Sequence, residues 1–153
     1  MAGVKTPLFG GQKLLIHADG GARGNPGPAA IGVVIGLRKY GERIGETTNN
    51  VAEYKALLFA LQKAKQLLSK KQTKQTEVEV RMDSELVVKQ LNGKYKILEP
   101  ELQSFFLQIW NLKQDFKHVS FVHIPREKNR EADALVNQAL DGAKEKIGDA
   151  RLL

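Results

Sequence analysis

The spacing of the apolar residues changes at Asn50, and that change limits what the chain can become. Before it, apolar residues come in short runs separated by glycine and proline; after it they recur at three- and four-residue steps. Lys13 to Ala18 (KLLIHA) is a short apolar run entering the Gly/Pro-rich stretch Gly20 to Pro28, the pattern of a buried strand running into a tight loop. Ala30 to Leu37 and Tyr40 to Thr48 read as two further strands with a turn near Arg38 and Lys39, so three sequential strands form an antiparallel meander. Beyond Asn50, residues Tyr54, Leu57, Leu58, Leu61, Ala64 and Leu68 put one apolar stripe on a long helix.

A polar, basic linker from Ser69 to Gln75 follows, then a strand over Glu77 to Met82 whose acids alternate with valine. Asp83 and Ser84 end it. Leu86 to Leu91 reads as a short helix closed by Asn92 and Gly93. Pro100 suits a first helical turn, and the stripe Leu102, Phe105, Phe106, Ile109, Leu112 and Phe116 continues it. His118 to Ile124 is the last strand, and Ala132, Leu135, Val136, Ala139, Leu140 and Ala143 mark the last helix. The expected order is βββαβααβα, an α/β fold with a mixed five-stranded sheet: three antiparallel strands, then parallel strands arriving after helices that pack on its faces. With 153 residues, 42% hydrophobic, one domain spanning 1–153 can bury its own core. Loose tails are expected at 1–12 and 148–153.

Composition narrows the chemistry. Without cysteine the chain has no disulfide, zinc ribbon, iron–sulfur cluster or thiol nucleophile, so a metal would be held by carboxylate or imidazole, which points to hard cations. Lys+Arg 24 against Asp+Glu 17 gives a net charge of +7, a bias towards a polyanionic partner. The N-terminal stretch has no apolar core of a leader and no run reaches bilayer length, so a cytosolic location without membrane is expected.

Four acids stand where elements end or begin, and each has a structural alternative. Asp19 closes an apolar run, where it either caps the Gly20-Gly21 bend or meets a cation. Glu53, three residues after Asn50, fits a capping box, and Asp83 with Ser84 fits an N-terminal cap. Asp133 lies within the last helix, as a functional acid or as a solvated or Arg130-paired acid at the edge of the buried face. Jointly, two carboxylates at strand ends and two on helices over the same sheet can converge at one edge. Divalent cations relieve the repulsion of such a cluster, and Mg²⁺ takes oxygen ligands while keeping water and phosphate in its shell. Two such ions are the usual device for in-line attack of water on a phosphodiester.

Four ordered segments, DGGARGNPGPAAIG from Asp19, TTNNVAEYKAL from Thr47, DSELVVKQLNGKYK from Asp83 and PREKNREADALVNQAL from Pro125, resemble type 1 ribonuclease H over nearly the whole chain. The resemblance implies the ribonuclease H-like fold and an endoribonuclease that cuts the RNA strand of RNA–DNA hybrids, leaving 5′-phosphate and 3′-hydroxyl ends. It makes Asp19, Glu53, Asp83 and Asp133 the catalytic metal ligands for two Mg²⁺ ions, with Mn²⁺ as a substitute and Asp19 shared between the two. It assigns Asn25, Asn49 and Asn50 to the minor groove of the hybrid and Thr48 to a phosphate pocket on the DNA strand. Amide side chains beside 2′-hydroxyls are a physical means of telling RNA from DNA. As turn formers and helix starters, the same residues also have purely local roles.

The chain departs from the best-studied members in one loop. These carry a histidine before the last helix, where PREKN stands here. His123 falls within the last strand and reads as a satisfied sheet residue, which leaves Arg126 as the cation near the leaving phosphate. In this the chain resembles the archaeal-type subgroup, some of which act on double-stranded RNA, so that duplex is a second partner to test; a monomer is expected. No basic helical protrusion is legible between Asn92 and Pro100, so contact falls to dispersed cations, including Lys70 to Lys74 and Lys94-Tyr95-Lys96, with strong salt dependence. No Walker A, G-x-G-x-x-G or G-x-S-x-G sequence occurs. The remaining alternative is a module of the same fold that binds hybrid or double-stranded RNA without cutting it.

Overall fold

The computed structural model describes residues 13–152, with side chains through residue 142. The expected N-terminal tail, 1–12, lies outside the described residues, as does 153. Five strands, β1 (Lys13–Ala22), β2 (Gly27–Ile35), β3 (Arg38–Thr47), β4 (Glu77–Met82) and β5 (His118–His123), form one sheet in the order β3-β2-β1-β4-β5. The first three pair antiparallel, and β4 joins β1 and β5 in parallel. That is the mixed sheet read from the sequence. Its helices are α1 (Asn49–Leu67), α2 (Lys70–Gln75), α3 (Glu85–Leu91), α4 (Pro100–Lys113) and α5 (Arg130–Leu152), with a 3₁₀ turn at Arg126–Lys128.

Strand alternation sorts the sheet into two faces. Leu14, Ile16 and Ala18 of β1, Val33 and Ile35 of β2, and Val78 and Val80 of β4 share one buried core with Tyr54, Leu57 and Leu61 of α1. On the opposite face Ala30 packs with Val136 and Leu140 of α5. Strand β2 is therefore covered on both sides, which explains its unbroken apolar run. α4 lies against α1 and contributes buried Leu102 and Ile109. Its stripe ends sooner than expected: Phe116 lies in the turn after the helix and is still buried.

Four boundaries differ from the sequence reading. β1 continues to Ala22 because β2 pairs with it as far as Ala22↔Ala29, so Asp19 sits inside the strand. The β2–β3 turn falls at Gly36 (φ 59°) and the exposed Leu37, ahead of Arg38. The basic linker contains α2, whose start is fixed by a capping box in which Ser69 and Gln72 bond each other's backbone N–H groups. Finally, the backbone stays helical through Gly148 to Leu152, where the glycine led to the expectation of a tail. A glycine inside a helix costs only about 1 kcal/mol relative to alanine, and Lys144, Glu145 and Lys146 before it are strong helix formers.

Candidate active site

The β1–β4 register builds the site. The last paired positions are His17↔Arg81, and period two carries the same face forward to Asp19 and Asp83, each two residues further on. Both carboxylates thus reach the same level at the same edge of the sheet. Glu53 arrives from α1, which crosses β1 at Gly20. A Cβ on Gly20 would overlap the Ala52 carbonyl and lie 2.6 Å from the Glu53 nitrogen, so only glycine lets the helix come this close. α5 makes the matching approach on the other face at Gly32, where a Cβ would overlap the Ala132 carbonyl oxygen, and Asp133 follows in its first turn.

Oxygens of Asp19, Glu53 and Asp83 lie within 4.8 Å of one another. Asp133 stands outside that trio but lines the same cavity of about 430 Å³, with Asn49, Arg23, Arg126 and Asn137. The structure thus brings all four predicted acids to one cavity. The donor set is oxygen only and densely negative, which fits a hard divalent cation.

Thr48 caps α1, its Oγ1 accepting from the Val51 N–H at 3.3 Å, so Glu53 lies beyond the capping positions and the Asn50 capping box does not form. Ser84 caps α3 by accepting from Val87 N–H at 3.3 Å, which releases Asp83 from that task. No ion pair joins Asp133 to Arg130 among the described residues; its N–H donates to the Asn129 carbonyl at 3.1 Å.

Burial and mutual repulsion dominate the electrostatics. Asp19 is only 8% exposed. Its carboxyl is pushed up to about 8, first by desolvation and then by the charges of Asp83, Asp133 and Glu53, against a lowering hydrogen bond from Gly20 N–H. Glu53 is raised to about 7, mainly by burial, with Asp83 adding to the rise and a hydrogen bond from the Ser84 hydroxyl opposing it. The Tyr54 hydroxyl donates to Gln90 Oε1 at 2.7 Å, tying the helix that carries Glu53 to α3 beside Asp83.

The predicted substrate residues surround the mouth. Asn49 Oδ1 accepts from Ala22 N–H at 2.8 Å, and Asn49 N–H donates to Asn25 Oδ1 at 3.1 Å, so this pair joins the β1–β2 loop to the start of α1. Asn25 and Asn49 are exposed, and Thr48 and Asn50 half-buried. Arg126 is exposed on the 3₁₀ turn and lines the cavity. His123 lies in the last strand as expected, at its end and paired with Met82, and it is exposed. Residues 92–99 hold no helix, as expected.

Sequence reasoning missed three participants. Ser84 donates to Glu53; Arg23 crosses the rim to Asp141 (2.6 Å) and Asn137 (3.3 Å); and buried Asn129 touches the segments carrying Asp19 and Asp83. Asn129, within KNRE, reads as one more surface polar residue, and only its spacing of four before Asp133 offered a signal.

Comparison with known proteins gives a consistent set. The family described as Reverse transcriptase-like matches residues 17–139. Ribonuclease HI of Halobacterium salinarum is 40% identical over 148 residues, covering 92% of this chain and 70% of that protein. The crystal structure of LC11-RNase H1 in complex with RNA/DNA hybrid superposes with a TM-score of 0.80 at 52% identity, covering 85% of this chain and 98% of that one. The Bifunctional protein Rv2228c of Mycobacterium tuberculosis is 40% identical over 139 residues, 86% of this chain, but the match spans only 36% of the mycobacterial protein.

Proposed function

The chain belongs to the ribonuclease H family, and from that premise we propose that it is an endoribonuclease that hydrolyses the RNA strand of RNA–DNA hybrids, leaving 5′-phosphate and 3′-hydroxyl ends. The observation that carries this reading is the convergence of Asp19, Glu53 and Asp83 from three separate elements to within 4.8 Å, with Asp133 on the same cavity. These acids would hold two Mg²⁺ ions, or Mn²⁺ in their place, and Asp19, the most buried, would be shared between them. Bound there, the ions supply an activated water and neutralise the leaving oxygen, chemistry the carboxylates alone lack.

The chain's own residues do the rest. Burial of Asp19 and Glu53 keeps both carboxyls basic enough to hold protons in the cation-free protein, so a cation competes with protons for them. Asn25, Asn49 and Asn50 reach the minor groove of the hybrid, the amide oxygens of Asn25 and Asn49 already accepting from the Asn49 and Ala22 N–H groups, and Thr48 approaches the DNA strand's phosphate. Arg126 meets the leaving phosphate in the place of the histidine of other members, which puts the chain with the archaeal-type subgroup. As a guanidinium it binds product without shuttling a proton. The chain acts as one domain and as a monomer, in the cytosol, with double-stranded RNA as a second substrate to be tried; among the described residues no helix is long and apolar enough to cross a membrane.

A cleavage panel tests this. Labelled hybrid, duplex RNA, duplex DNA and single strands are incubated with Mg²⁺, with Mn²⁺ and with chelator, and the ends of the products are mapped. Cleavage confined to the RNA strand of hybrid, or extending to duplex RNA, and abolished by chelator is the expected result. Tight binding of hybrid without cleavage in either metal would instead make the protein a binding module.

A further inference from the structure

We propose that Asn129 is a positioning residue that fixes the spacing of the metal-binding carboxylates, a role that rests on the nuclease reading above. Asn129 is 1% exposed and lies between the 3₁₀ turn and α5. Its Nδ2 donates to the Ala18 carbonyl at 3.0 Å and reaches Asp83 Oδ2 at 3.5 Å. Its own carbonyl accepts from Asp133 N–H at 3.1 Å. Ala18 immediately precedes Asp19, so one residue touches the chain segments of three of the four acids. The contact also falls at a weak point of the scaffold. Pairing of β1 with β4 ends at His17↔Arg81, just short of both carboxylates, and Asn129 bridges the two segments beyond it.

The other end of the amide argues that this grip, and not the fold, accounts for the residue. Oδ1 of Asn129 is buried with no hydrogen-bond partner among the described residues. Leaving such an acceptor unpaired costs its desolvation, a cost that an apolar residue of similar size would avoid. Turning the amide over gives no relief, because Nδ2 faces two oxygens that need a donor. A neutral donor beside Asp83 also steadies that carboxylate without adding a cation that would compete with a metal for it.

The test uses the full chain with Asn129→Leu, which fills the volume but donates nothing, and Asn129→Ala, which does neither. Three quantities are read: the Mg²⁺ concentration giving half-maximal cleavage of hybrid, Mn²⁺ affinity of the free protein by calorimetry, and the melting temperature in chelator. Groups that orient metal ligands change metal affinity about 10–100-fold. Both variants should therefore need at least about tenfold more Mg²⁺ and bind Mn²⁺ correspondingly more weakly, with Asn129→Leu melting close to wild type. A metal response within about twofold of wild type, in either readout, overturns the proposal. So does a failure of both variants to fold, which would assign Asn129 to the scaffold. A wild-type protein that neither binds Mn²⁺ nor cleaves hybrid overturns the nuclease reading itself, and is distinguished from these by needing no variant.

Discussion

Two acidic positions on the same face of β1 and β4 are treated in opposite ways. Glu79, midway along β4, lies between Lys13 Nζ at 2.8 Å and Arg81 Nε at 2.6 Å, and these hydrogen bonds, Lys13 first, hold its carboxyl below the usual carboxylate range. Asp19, at the far edge, is raised to about 8 by burial and three neighbouring acids. No described ion pair reaches Asp19, Glu53 or Asp83, although the chain carries seven more positive than negative charges. Cations are thus available to this surface and are used two turns of the pleat away. Where the chain supplies the counter-charge, an acid is a modest stabilising element. Where it withholds it, burial and neighbouring acids raise the carboxyls' proton affinity, and on the proposed reading an external cation would supply the missing counter-charge.

Breaking the cluster should have the largest consequence. Asp19→Asn or Asp83→Asn removes one of the charges proposed to hold metal but keeps the shape. Loss of a metal's contribution is worth several kcal/mol in the transition state, so hybrid cleavage should fall by about 10³-fold or more. Circular dichroism and filter binding of hybrid in chelator should stay close to wild type. Wild-type turnover in either variant would remove that residue from the site.

What the sequence made legible follows the same divide. The face buried under α1 was readable because apolar residues report their own periodicity: Ile16, Val80, Leu57 and Leu61 are all where alternation or a helical stripe puts them. Asp19, Glu53, Asp83 and Asp133 were legible as a set through four ordered motifs, although each alone suggested a cap or turn. The caps proved to be Thr48 and Ser84, each two residues before the expected helix starts at Asn50 and Leu86. Asn129 and Ser84 stayed hidden as partners because a polar side chain serving another acid leaves no mark in hydropathy. α2 was hidden behind its charge, though Ser69-x-x-Gln72 carried the capping signal.

The acids' raised proton affinities sharpen the contrast through pH. Asp19 and Glu53 keep protons in the folded, cation-free protein to about 8 and about 7, well above the ordinary 3.8 and 4.5 expected once unfolded. Between those limits the folded state holds more protons than the unfolded one, so this contribution to stability is full below about pH 4 and is lost as pH rises through 7 to 8. Melting temperature in chelator should therefore drift down from pH 5 to pH 8.5. Added Mg²⁺ should reverse the drift most strongly at the alkaline end, where both ligands are deprotonated. Asp19→Asn should flatten the chelator profile, and a profile as steep as wild type in that variant would place the titration elsewhere.

Glu79→Gln is the complementary change and should do least. It removes a charge from the same face of the sheet, but one already matched by Lys13 and Arg81, whose side chains are 60% and 38% exposed. Pairs of that exposure are worth about 1 kcal/mol or less, and high salt screens them further. Chemical denaturation should show a loss of that size at low salt that shrinks at high salt, and hybrid cleavage should stay within about twofold. The freed Lys13 and Arg81 leave an unmatched positive patch beside the cluster, so any change in the Mg²⁺ requirement should be a slight increase. A large fall in cleavage would mean that the paired region and the cluster are electrostatically one unit, with Arg81 tuning Asp83 just beyond the end of β4.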